Sequence, residues 1–260
     1  MAAPRNRLKA QLAQGEMQIG LWLGFGSATA AEISAQAGFD WCLIDAEHNP
    51  NADAMVLAQL QAMNGAGVEA VMRVASAEDW MLKRALDLGV QSVLVPMIDT
   101  GEQAAAMVRA SRYPPAGTRG MGAIQARATG YGAVSDYPTT ANDQICLMVQ
   151  AESRRSIENI DDIAGTEGVD VVFIGPADLS ADMGYPGQPD APEVVAAIEH
   201  AAARVRAAGK ALGTITFDPA RIPYYRDLGV RFLGVGGDVF CFAQAARSLS
   251  AHARAALVDE

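Results

Sequence analysis

The chain has 260 residues, half of them hydrophobic and 19% charged, with 20 Lys and Arg against 30 Asp and Glu for a formal net charge of −10. That apolar content excludes intrinsic disorder. The acidic balance excludes a general nucleic-acid binder, whose phosphate affinity rests on clustered cations, and a protein that docks on anionic membranes, since no basic amphipathic segment compensates.

Taken from the N-terminus, Met1–Gln14 carries Arg5, Arg7 and Lys9 but no apolar core, so it does not read as a secretory signal. The longest uncharged stretch, Met17–Ala31, is broken by Gly20, Gly24 and Gly26 and falls short of the roughly 20 apolar residues that span a bilayer. Cys42, Cys146 and Cys241 are far apart and odd in number. They make neither a disulfide framework nor a CxxC metal motif, and a reducing cytoplasm is the expected compartment.

Strands are predicted at Gln18–Phe25, Trp41–Asp45, Ala70–Val74, Ser92–Ile98, Ile145–Glu152, Asp170–Ile174, Ala211–Thr216 and Phe232–Gly236. Most are continuous apolar runs, as parallel strands covered on both faces require. Between them lie helical stretches such as Thr29–Ala37, Asp53–Met63, Glu78–Asp87, Glu102–Arg112 and Val194–Ala207, with glycine stops at Gly38, Gly89 and Gly209. Alternation at roughly 30 residues per unit is the arithmetic of a (β/α)8 TIM barrel, read as one domain over 1–260. A doubly wound sheet is the main competitor, but no GxGxxG follows the first strand. One long irregular insertion, Tyr113–Asn142, reads as a functional lid or an interface arm.

In such a barrel the active site lies where the strands end. The strand ends supply Asp45, Glu47 and His48, then Arg73, then Gln150 and Glu152, then Gly175-Pro176-Ala177-Asp178, then Thr214 and Thr216, and finally Gly236-Gly237-Asp238. Trp22, near the end of the first strand, is expected on the pocket wall. His200 and His252 read as surface or packing residues, Trp41 and Cys42 as core, and Trp80 as helix packing. Any one of these polar residues could be a cap or turn residue. Their coincidence on one rim points to a site.

Glu152 and Asp178 come from adjacent strands, so their carboxylates can converge on one cation. Hard oxygen ligands with open positions suit Mg²⁺ or Mn²⁺ better than Zn²⁺. The Gly175–Asp178 corner offers backbone N–H groups to an anion. A carboxylate-bearing, chelating substrate such as a 2-oxo acid fits both features. Arg73 can then stabilise charge on an oxo oxygen and His48 can act as acid/base. Asp87 can orient His48 if the fold brings it near.

At these residues the chain resembles the HpcH/HpaI aldolase family, the class II, metal-dependent pyruvate aldolases of the 4-hydroxy-2-oxoheptanedioate aldolase type. The resemblance is carried by Gly38-Phe39-Asp40-Trp41, Leu43-Ile44-Asp45-Ala46-Glu47-His48, Leu94-Val95-Pro96-Met97 and Tyr113-Pro114-Pro115-Ala116-Gly117-Thr118-Arg119-Gly120. Val149-Gln150-Ala151-Glu152 and Val172-Phe173-Ile174-Gly175-Pro176-Ala177-Asp178-Leu179-Ser180 complete it. It implies Glu152 and Asp178 as ligands of Mg²⁺, Mn²⁺ or Co²⁺, His48 as base with Asp87 as its partner, and Arg73 as enolate stabiliser. It implies Gln150 and the Ala177 backbone as pyruvate contacts and Trp22 on the site wall, and with Asp45, Gly175 and Pro176 of the same rim these make the expected substrate-binding set. It also implies a homo-oligomer, a hexamer whose subunits exchange their last helix, so Cys241–Ala255 is expected to pack on a neighbour.

Two positions depart from the family pattern. Ala46 stands where Gly is usual, and Gln150-Ala151-Glu152-Ser153 replaces Gln-Ile-Glu-Thr. The expected reaction is retro-aldol cleavage of a 4-hydroxy-2-oxo acid to pyruvate and an aldehyde. A Schiff-base route needs a buried lysine, and none of Lys9, Lys83 and Lys210 ends a core strand. The other rivals are a citrate lyase or malyl-CoA lyase type of enzyme acting on a CoA thioester, and a non-catalytic oligomeric binding protein.

Overall fold

The computed structural model describes residues 1–122 and 125–257. Eight parallel strands close into a barrel in chain order. They are β1 (Gln18–Leu23), β2 (Trp41–Asp45), β3 (Glu69–Arg73), β4 (Ser92–Val95), β5 (Cys146–Ala151), β6 (Val171–Ile174), β7 (Ala211–Ile215) and β8 (Val230–Gly237). The helices that alternate with them are α2 (Ala28–Ala35), α3 (Asp53–Ala62), α4 (Asp79–Asp87), α5 (Gly101–Ser111), α7 (Arg154–Glu158), α8 (Ile160–Gly165), α9 (Pro176–Asp182), α10 (Pro192–Ala207), α11 (Ile222–Leu228) and α12 (Asp238–Ala255). A first helix, α1 (Arg7–Ala13), precedes the barrel, and a short α6 (Tyr137–Thr140) lies within the insertion. Among the described residues no helix is long and apolar enough to cross a membrane.

The period-2 alternation of strand side chains sorts each strand into an inner and an outer face. Trp22, Trp41, Leu43, Val71, Leu94, Met148, Phe173 and Phe232 fill the barrel interior, while Cys42, Ile44, Val93, Val95, Leu147 and Val149 face the helices. Interior glycines make this packing fit. A Cβ at Gly20 would sit 2.0 Å from the Trp41 ring, and one at Gly234 would sit 2.4 Å from Trp22. The same inward phase continues past the apolar layers to Asp45, Arg73 and Gln150. The rim residues are therefore the last inward positions of their strands.

Helix α1 was not foreseen. Asn6 caps it, its side chain accepting from Lys9 N at 2.9 Å, and Leu8 and Leu12 on one face enter the interior cluster with Trp41 and Phe232. It plugs the end of the barrel where the strands begin. Seven residues with two leucines are too weak a periodic signal to read as a core helix.

The described part of the insertion, residues 113–122 and 125–142, lies at that same end, which overturns the expectation that it is a lid over its own barrel's site. It joins a helix to the start of a strand, and such a connection emerges opposite the strand ends. Ala3 N donates to Thr140 Oγ1 (2.9 Å), Asn6 N to Gln144 Oε1 (2.9 Å), and Arg127 to the carbonyls of Leu88 and Leu60 past the ends of α4 and α3. Trp80 is also not the packing residue expected: it is 53% exposed on α4.

Candidate active site

A cavity of about 620 Å³ opens at the strand ends. Its polar floor includes Asp45, Arg73 and Gln150, with the Gly175-Pro176-Ala177-Asp178 corner beside them. Its apolar wall includes Trp22, Phe173, Ile215, Phe217, Val239 and Phe240. His48 stands at the margin.

Register brings the floor together. Asp45 and Arg73 are paired positions of adjacent strands. The guanidinium meets the carboxylate twice, Nε to Oδ1 at 2.8 Å and Nη2 to Oδ2 at 2.9 Å. Asp45 also accepts from Glu47 N (3.1 Å) and Asn49 Nδ2 (2.6 Å). Burial pushes its carboxyl up, but Arg73 and these donors more than reverse that, so Asp45 lies below the usual carboxylate range. The remaining guanidinium nitrogen, Nη1, lies 2.9 Å from Glu47 Oε2. Its N–H is not aimed at that oxygen, which is left without a hydrogen bond.

Glu152 is 2% exposed and held from two sides. Met97 N donates to Oε1 at 2.9 Å, and Gln150 Nε2 donates to Oε2. Met97 takes φ +57°, a left-handed conformation that a non-glycine residue adopts only under constraint. That twist turns its N–H onto the carboxylate. Gly175 lies directly over Glu152: a Cβ there would be 2.5 Å from Oε2. Burial raises the Glu152 carboxyl most, the hydrogen bonds from Gln150 and Met97 hold it down, the charges of Asp178 and Glu47 add to the rise, and it is pushed up to about 7. Glu47 is raised by burial as well, against the pull of Arg73, with Asp45 and Asp178 adding to the rise. Glu47 and Glu152 are thus both loaded by the charge of Asp178, beside a guanidinium already paired with Asp45. Buried Gln150 Oε1 has no partner. Among the described residues no three His, Cys, Asp or Glu side chains form a ready metal cage.

His48 and Asp87 are not brought together. The His48 side chain is 60% exposed, with Nε2 3.8 Å from Glu47 Oε2. Asp87 ends α4, whose direction carries it to the opposite end of the barrel, where it accepts from Arg119 Nη2 at 2.7 Å. Within one chain Asp87 does not orient His48.

Three residues to which the sequence assigned no chemical role support the floor. Asn51 Nδ2 donates to the carbonyls of Leu23 (3.1 Å) and Asp45 (2.7 Å), tying β1 to β2. Its Oδ1 accepts from buried Gln59 Nε2 on α3 at 2.7 Å. Asp238 accepts from Gly24 N and Val239 N, both at 2.7 Å, and so closes β1 against the start of α12. Asp238 was visible as a strand-end acid. Asn51 and Gln59 gave no signal, because an Asn in a turn and a Gln on a helix are ordinary surface residues.

Comparison with known proteins covers nearly the whole chain. The family model of HpcH/HpaI aldolase/citrate lyase matches residues 18–245. A hydroxypyruvate/pyruvate aldolase of Agrobacterium fabrum is 51% identical over 96% of this chain and 94% of its own. A 4-hydroxy-2-oxo-heptane-1,7-dioate aldolase of Shigella sonnei is 49% identical over 95% and 94%. The crystal structure of an HpcH/HpaI aldolase/citrate lyase family protein from Burkholderia cenocepacia superposes with a TM-score of 0.92 at 41% identity, covering 96% of this chain and 99% of that one. With this barrel, this rim and these relatives, the chain belongs to the HpcH/HpaI aldolase/citrate lyase family.

Proposed function

We propose that the protein is a divalent-metal-dependent aldolase that cleaves 4-hydroxy-2-oxo acids to pyruvate and an aldehyde, and catalyses the reverse addition. The observation that carries this reading is the charge imbalance of the floor: the charges of Asp178 and Glu47 bear on buried Glu152 while Arg73 is paired with Asp45.

The donor set fits a hard divalent cation. A buried Glu152 carboxyl raised to about 7 by burial and by the charges of Asp178 and Glu47, beside the unpartnered Oε1 of buried Gln150, makes a floor that can take further positive charge. Glu152 and Asp178 would hold Mg²⁺, Mn²⁺ or Co²⁺ through oxygen, leaving the remaining positions to solvent and substrate. When bound, such an ion supplies Lewis acidity toward the two chelating oxygens of a 2-oxo acid.

The chain's own residues do the rest. His48, exposed at the cavity margin, takes the proton of the C4 hydroxyl. The C3–C4 bond then breaks, its electron pair moving onto the C2–C3 unit as an enolate while the aldehyde leaves. Arg73, fixed by its fork on Asp45, stabilises the oxygen charge that appears only along this path. Gln150 and the Gly175-Pro176-Ala177 backbone line the place where the oxo acid sits against Trp22. Return of a proton to C3 gives pyruvate. Glu47 is the carboxylate that stands beside His48 within the chain. A role for Asp87 at a His48 requires a second copy of the chain. We further propose a hexamer with exchanged α12 helices, working in the cytoplasm, in keeping with three unpaired cysteines.

The test is exchange of the pyruvate methyl protons with solvent deuterium in the absence of aldehyde, followed by proton NMR. Exchange should require added divalent metal, stop with chelator, and slow roughly 10²–10⁴-fold in His48→Ala. No exchange by the metal-loaded wild type, or full exchange in excess chelator, would sink the reading.

A further inference from the structure

We infer that Arg247 reads the far end of the aldehyde half of the substrate, and selects substrates in which that end carries an anion. This deepens the aldolase reading above and rests on it.

The cavity is divided in two. Its floor, with the catalytic groups, is crowded with carboxylates. Its outer wall is apolar and built largely from the β7 end and α12 through Phe217, Val239, Phe240 and Ala243. Arg247 lies beyond them on the same lining. Phe240, Ala243 and Arg247 are spaced three and four residues apart, so they form one stripe along α12, with Arg247 about 10 Å beyond Phe240 at 1.5 Å per residue.

The chain's other lining guanidinium, Arg73, is paired with Asp45 and Glu47 on the floor and serves the reacting end of the substrate. No ion pair or hydrogen bond engages the Arg247 side chain among the described residues. A chain of net charge −10 has thus placed an uncommitted guanidinium at the outer end of an apolar wall whose inner end is acidic. A 2-oxo acid seated on the floor directs the rest of its chain along that wall. A short aliphatic spacer suits Phe240 and Ala243, and a terminal carboxylate or phosphate suits the guanidinium fork. Free cations on a helix face are usually mere solubility residues. Here the stripe runs into the cavity, whereas Phe242 and Leu249 lie on the opposite side of α12 and so leave the Arg247 face to the substrate.

The experiment measures aldol addition of pyruvate to paired acceptors: succinic semialdehyde against butanal for a carboxylate end, and glyceraldehyde 3-phosphate against glyceraldehyde for a phosphate end. Wild type, Arg247→Gln and Arg247→Lys are compared, with light scattering to record the assembly state. The expected result is a preference of wild type for at least one anionic acceptor over its neutral partner. In Arg247→Gln the ratio of their kcat/KM values should fall about 10- to 100-fold, the range of a charge-assisted hydrogen bond, through KM and not kcat. Arg247→Lys should recover part of it, and added salt should erode the wild-type preference. The pair that responds identifies carboxylate or phosphate.

Quenching of Trp fluorescence by glutarate, read through Trp22 in the cavity wall, gives a measure independent of turnover, and Arg247→Gln should weaken it. An equal loss on charged and neutral acceptors, no change in the ratio, or a loss that tracks dissociation of the assembly would overturn the proposal. Failure of pyruvate exchange in wild type, with glutarate quenching still dependent on Arg247, would instead strike the aldolase reading.

Discussion

At the scale of single residues, the pair Asp45–Arg73 decides most. Both are last inward positions on neighbouring strands, so register alone makes them meet. Lysine cannot replace the arginine there. An ammonium cannot contact both Asp45 oxygens and Glu47 while still facing the substrate, as three guanidinium nitrogens do. Arg73→Lys should therefore lose roughly 10²–10³-fold in pyruvate exchange, close to Arg73→Ala, with the loss in kcat. A fall confined to KM would reassign Arg73 to ground-state binding. Behind this pair, Asn51 makes a quieter contribution. Asn51→Leu takes their amide partner from the Leu23 and Asp45 carbonyls and leaves Gln59 Nε2 with the Met55 carbonyl alone. It should cost about 1–3 kcal/mol in urea unfolding and lower kcat by loosening the carboxylate that holds Arg73. Unaltered unfolding would show that water replaces the amide without penalty. Strand-end acids and Arg73 were legible because a charge directly after a buried apolar run is conspicuous. The Met97 N–H, the Asn51 clamp and the unpartnered Glu47 oxygen were not, since they depend on backbone direction and not on residue type.

At the scale of elements, β2 was predicted to the residue, Trp41–Asp45, and the other strands to within two or three. The largest overrun has a backbone cause. After β4, Pro96 lacks an N–H and Met97 turns left-handed, so the ladder ends at Val95 while the apolar run continues to Ile98. Composition registers the side chains, but the ladder requires backbone donors. Helix α1 is the opposite case, an element whose residues say little and whose position says much. Leu8 is fully buried among Trp41, Phe232 and their neighbours at the closed end of the barrel. Leu8→Ala should cost about 2–5 kcal/mol, because the aromatic layer above it cannot collapse into the void. Pyruvate exchange at low temperature should be retained, the catalytic floor lying at the other end. A cost under about 1 kcal/mol, read against the same scale of cavity costs, would mean that α1 frays from the barrel in solution.

At the scale of the whole molecule, closure of the barrel followed from counting units, and the sidedness of the site followed from closure. What one chain's sequence conveyed least was which surfaces are covered. Helix α12 has 18 residues, of which Asp238 alone is buried. Phe242 and Leu249 stand 66% and 71% exposed on the face turned away from the cavity. A helix this bare has little to hold it against water, since propensity alone leaves isolated helices marginal. The opposite stripe faces a cavity and gives partial support only. Covering Phe242 and Leu249 with a neighbour's surface is the arrangement that removes this apolar face from solvent, and it matches the exchange of last helices expected from the resemblance. Purified protein should accordingly run as an oligomer, a hexamer on the present reading, by light scattering. Leu249→Glu should lower that mass by placing a charge in the covered face, while Arg254→Glu, farther along a polar side of the same helix, should shift it much less. A wild type that is monomeric at micromolar concentration, with α12 still protected from amide exchange, would show that the helix is stable without a neighbour and that its apolar face has another purpose.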